Sequence, residues 1–123
     1  MWIDIIKLLF DVSGKKQEIE EARRIRLSEV LLEISKLLEE TADELENNNY
    51  PIGKCFAMTT LADELVTMLK DRMSDENWHN LAGMLYQSCK VEREYADRKN
   101  PETIKSLREA AGHFYGKSLI FKV

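Results

Sequence analysis

Leu27 to Leu45 is the stretch that most limits what this chain can fold into. On a repeat of seven, Leu27, Ile34 and Thr41 take one core position. Val30 with Leu31, Leu37 with Leu38, and then Leu45 take the other. The stripe is as broad as the buried side of a bundle helix and wider than the seam of a two-stranded coiled coil. Such a helix needs other helices to cover it, and the rest of the chain is patterned to supply them.

Upstream, Lys15 to Arg26 has few apolar residues (Ile19, Ala22, Ile25) but pairs Glu20 with Arg24 at i,i+4 and Glu21 with Arg24 at i,i+3. Those pairs support helix without a core. The expectation is one unbroken helix over 16–47, roughly 48 Å long at the standard rise. Asn47-Asn48-Asn49 and Tyr50-Pro51 end it, because asparagines favour turns and the residue before proline avoids the helical region. A second helix is expected over 52–72, with Cys55, Met58, Leu61, Ala62, Leu65, Met68 and Leu69 on one side.

Ser74 reads as an N-cap, followed by Asp75 and Glu76 in the first turn of a third helix over 75–99. Trp78, Leu81, Ala82, Leu85 and Cys89 form its stripe. Asn100-Pro101 opens a fourth helix over 101–116, carrying Ile104, Leu107, Ala111 and Phe114 and ending near Gly116, with an apolar tail at 117–123. Proline suits a first helical position. The Leu27–Leu45 stripe and the second helix match in length, so the charged part before Leu27 is expected to overhang by roughly 16 Å.

The expected fold is therefore all-α: one domain over 1–123, an antiparallel up-down four-helix bundle with a long first helix and a short extra N-terminal amphipathic helix. That extra helix, Trp2 to Val12, has its polar residues Asp4, Lys7 and Asp11 on one narrow face, and Ser13-Gly14 ends it, making 1–14 an accessory helix and hinge. So apolar a segment must pack back on the bundle, meet a partner or second copy, or lie on a membrane surface. Trp2, Ile5, Ile6, Leu9 and Phe10 are its expected contact residues. The net negative polar face is poorly suited to anionic lipid, so a membrane surface is the weaker reading.

Composition narrows function. The net charge of −4 argues against nucleic acid as a partner, since phosphate binding needs a concentrated basic face. Two cysteines make no disulfide framework, which points to a reducing compartment and a cytoplasmic location. No run reaches the length of a membrane span.

Glu76 with His79 and Glu109 with His113 pair a carboxylate with an imidazole at helical spacing. Di-iron bundles use a Glu-x-x-His from each of two helices plus a glutamate from each of the others. Here one spacing fits and both pairs flank the apolar stripes, so surface residues are the expectation and a metal site the alternative. Cys55 and Cys89 lie on core stripes, one turn from opposing each other across the second and third helices. Buried inert thiols are expected, with a redox pair as the alternative. Met58, Met68 and Met84 read as core filler rather than an adaptable groove. No glycine-rich phosphate loop and no serine, histidine and acid constellation is visible.

Tyr50-Pro51-Ile52-Gly53-Lys54-Cys55, Glu109-Ala110-Ala111-Gly112-His113-Phe114 and the opening Met1-Trp2-Ile3-Asp4-Ile5-Ile6-Lys7-Leu8-Leu9-Phe10 resemble a group of small all-helical bacterial proteins of unknown function. The resemblance implies a prokaryotic, cytoplasmic protein and no activity. The functional expectation is a non-catalytic, cofactor-free interaction or adaptor module that contacts another protein or a second copy. A membrane-surface protein and a metal or redox bundle are the alternatives.

Overall fold

The computed structural model describes residues 4, 5, 7, 8, 19–49, 52–94 and 101–122, with side chains for all of these except 52, 55 and 85–94. Among the described residues the chain is all-helical, without strands. Four helices follow one another: α1 (Glu21–Glu46), α2 (Ile52–Leu69), α3 (Asp75–Glu94) and α4 (Pro101–Lys122), with one 3-10 turn at Lys70–Arg72 between α2 and α3. α1 packs most extensively on α4 and also against α2, and α2 packs on α3. Asp4, Ile5, Lys7 and Leu8 also have helical backbone.

The predicted stripe is the core of α1. Leu27, Val30, Leu31, Ile34, Leu38 and Thr41 have no exposed surface, and Leu45 is buried beside them. Each such leucine or isoleucine contributes about 1.5–3 kcal/mol on leaving water. Met58, Ala62, Leu65 and Leu69 of α2, Leu81 of α3, and Ile104, Leu107, Ala111, Phe114 and Phe121 of α4 close the core around them.

The helix ends follow local chemistry. At the end of α1, Asn48 takes a left-handed conformation (φ 59). Its N–H donates to the Leu45 carbonyl, and the Asn49 N–H donates to the Glu44 carbonyl at 2.8 Å. This is the paired closing bond pattern that satisfies orphan carbonyls, with asparagine in glycine's usual place. The Ser74 hydroxyl caps α3 by accepting from the Asn77 N–H at 3.2 Å.

Two boundaries differ from the sequence reading. The first long helix begins at Glu21 and not at Lys16: Glu20 is extended (φ −54, ψ 143) and Ile19 sits in a bend, only 4% exposed. Burying Ile19 outweighs the weak local charge pairs that favoured continuous helix, since those supply only tenths of a kcal/mol each. What remains before Leu27 is no overhang. Arg23 reaches Asp71 at 2.6 Å and Arg26 reaches Glu64 at 2.7 Å, while Lys54 pairs with Glu44 at 3.0 Å at the other end. Those pairs run α1 and α2 antiparallel and cover the charged stretch with the end of α2.

The second difference lies in α4, which runs through Gly116 to Lys122 and absorbs the expected tail. Gly116 costs helix about 1 kcal/mol relative to alanine. Full burial of Phe121 and near-full burial of Ser118, one heptad beyond Phe114 and Ala111, offsets it.

Candidate functional site

The sequence of α4 puts small and large residues side by side on its solvent side. Gly112, Tyr115, Gly116 and Leu119 stand at i, i+3, i+4 and i+7, which makes them neighbours on one helix face. Tyr115 is 51% exposed and Leu119 46%. Among the described residues, nothing lies within 4 Å of a Cβ added at Gly112 or Gly116. The face is thus a row of two apolar knobs beside two bare stretches of backbone.

Its neighbour is the outer edge of α1. The Ser28 hydroxyl donates to the Ser118 carbonyl at 2.6 Å and the Ser35 hydroxyl to the Ala111 carbonyl at 2.7 Å. The two bonds step by seven along both helices in opposite directions, so α1 and α4 are antiparallel and close. This register brings Ile25, 44% exposed, beside the turn of α4 that carries Leu119 and Lys122. The apolar surface therefore continues from α4 onto α1.

The other end of the same edge is charged. Arg108 of α4 donates to Glu39 at 2.8 Å, pairs with Asp43 at 3.0 Å and also bonds Glu46. Hydrogen bonds from this arginine to Asp43, Glu46 and Glu39 raise its pKa above the ordinary value, so it stays charged. Three carboxylates share one guanidinium, which leaves this end net negative. Beside it opens a cavity of about 600 Å³ lined by Glu46, Pro101, Ile104, Lys105, Arg108 and Glu109.

Of the expected contact residues, Ile5 is the one described. Ile5 has no exposed surface and belongs to the core. Leu8 is partly buried against the same core. Asp4, Lys7 and Leu8 line a second cavity of about 380 Å³ with Asn80 and Met84 of α3. Trp2, Ile6, Leu9 and Phe10 lie outside the described residues.

The carboxylate–imidazole pairs stay on the surface. Glu76, His79, Glu109 and His113 are all exposed. His79 Nδ1 lies 2.7 Å from the Asp75 carbonyl, so that nitrogen carries the proton it donates. The His79 ring also lies 3.9 Å, centroid to centroid, from Trp78. Glu109 faces Lys105 at 3.9 Å. Among the described residues no group of three or more His, Cys, Asp or Glu side chains is placed to hold a metal ion. Met58 is buried, and Met68 and Met84 pack against the core, as filler does. The Cys55 and Cys89 side chains lie outside those described.

Sequence reasoning passed over Arg108, Gly112, Gly116 and Leu119. Their signal is the run of i+3, i+4 and i+7 spacings, visible only once the helix is carried past Gly116. Among the described residues no helix is long and apolar enough to cross a membrane. No protein-family model, no curated protein and no solved structure matches the chain.

Proposed function

We propose that this chain is a non-catalytic protein–protein interaction module of the cytoplasm, built as an antiparallel up-down four-helix bundle with its N-terminal helix packed back on the bundle. One observation carries the reading. Of the five large exposed apolar residues among those described, Ile25, Tyr115 and Leu119 lie together along the outer α1/α4 edge, the other two being Phe56 on α2 and Ile120 on α4. Such clustering marks contact surfaces more than single exposed residues do. Antiparallel pairing of α1 with both α2 and α4 supports the bundle arrangement. The buried Ile5 supports an N-terminal helix used for packing, and it removes one of the apolar residues that a membrane-surface role for that helix needs.

The test is the size of the assembly recovered from the cells that make the protein. The native chain elutes in a complex larger than 14.3 kDa, and the double substitution Tyr115→Glu with Leu119→Glu returns it to monomer size while its helix content is unchanged. Elution of the native chain as a monomer, or a complex indifferent to both substitutions, would overturn the reading.

A further inference from the structure

We infer that the partner on this face is a second copy of the chain, joined by antiparallel packing of α4 on α4 about a two-fold axis beside Tyr115 and Gly116. The inference rests on the interaction-module reading and names the occupant of its surface.

A two-fold interface must be complementary to itself, because the same patch is presented twice. This one carries both halves of the fit. Leu119 projects from the face, 46% exposed, while open space surrounds the position of a Cβ on Gly112. In an antiparallel pair centred between residues 115 and 116, Leu119 stands opposite the partner's Gly112, at the middle of the face and twice over. Gly116, also without neighbours at its Cβ position, lets the two backbones approach at the axis.

Among the described residues nothing accounts for these glycines. Both lie inside a 22-residue helix, with helical φ and no close neighbour. Glycine there weakens the helix for no gain in the isolated chain. A helix backbone approaching from outside supplies the gain, since glycine is the residue that admits such close approach.

Charge fits the same arrangement. Lys122 stands on the α1 side of α4, and the two-fold axis carries it to the level of the partner's Arg108 turn. There the partner's Glu39, Asp43 and Glu46 share one arginine, leaving net negative charge to meet the lysine. A parallel pairing would set the acidic ends against each other.

Sedimentation equilibrium of the full chain across micromolar concentrations tests this. The expected mass is twice that of the 14.3 kDa chain. Leu119→Glu should weaken the dimer at least about thirtyfold, the scale of a central anchor residue. Gly112→Ala should weaken it, yet raise the thermal midpoint of a Leu119→Glu chain, where association no longer contributes, a combination that misfolding cannot produce. Lys122→Glu should cost about two- to fivefold at low salt and less at high salt. Mixing a Gly112→Cys chain with a Leu119→Cys chain under oxidation should give a mixed disulfide that forms faster than either self-pair. A monomer at every concentration overturns the proposal, as does a dimer that survives Leu119→Glu. A purified monomer that still enters a Leu119-dependent complex in cell extract removes only the second copy and leaves the interaction reading standing.

Discussion

The hydroxyl of Ser35 donates to the backbone carbonyl of Ala111 on the facing helix, 2.7 Å away. A side chain as short as serine reaches another helix's backbone only where two helices nearly touch. Ser28 repeats the contact at Ser118, one heptad along, and Ala42 continues the small-residue line at full burial. The closeness of α1 and α4 fixes the outer edge on which Ile25, Tyr115 and Leu119 stand.

Size at position 35 should therefore matter more than its hydrogen bond. Ser35→Ala keeps the close approach and loses one bond, which costs about 1 kcal/mol. Ser35→Leu forces the helices apart and costs about 1–3 kcal/mol. Urea unfolding of the two variants checks the order.

Ile5 is fully buried, so it should behave as a core residue. Ile5→Ala should destabilise the fold by about 2–5 kcal/mol. A chain beginning at Lys15 should lose at least as much. A truncated chain as stable as the native one would show that the N-terminal segment contributes no core.

Much of this architecture is legible before any coordinates. The heptad from Leu27 to Leu45 marks the residues that prove buried, and Ser74 and the asparagines mark helix ends that close as their chemistry dictates. What escapes notice is decided by tertiary packing. Ser28 and Ser35 read as polar by type, yet their hydroxyls find carbonyls only when α4 lies against them. Ile19 breaks a segment whose charge pairs favour helix, because burial outweighs those pairs. Gly116 reads as a helix end, and only the seating of Ser118 and Phe121 carries the helix through it. The candidate surface was hidden for that last reason: Gly112, Tyr115, Gly116 and Leu119 form one face only in an unbroken helix.

Both glycines of that face should be replaceable at no cost to the monomer. Because no described residue lies within 4 Å of either added Cβ, Gly112→Ala and Gly116→Ala should each stabilise the fold by about 0.5–1 kcal/mol. Thermal melts of a Leu119→Glu background isolate this gain from any change in association.

Lys117 should give the fold an alkaline pH dependence. It is 4% exposed, and burial lowers its pKa from the ordinary 10.5. Between the lowered folded value and the ordinary unfolded one, the unfolded chain binds more protons, so stability rises with pH across that window and is reduced below it. Lys117→Met should flatten the difference. Urea midpoints of the two proteins, compared between neutral pH and the ordinary lysine value, measure it.

The outer α1/α4 edge is the surface through which this protein is proposed to meet its partner. The most direct measurement places a photo-crosslinking phenylalanine analogue at position 119, and separately at Ser106, which is exposed on the polar side of the same helix. Irradiation of cells making each variant should give a discrete adduct from position 119 and none from position 106. No adduct at 119, or equal adducts from both positions, would contradict the account.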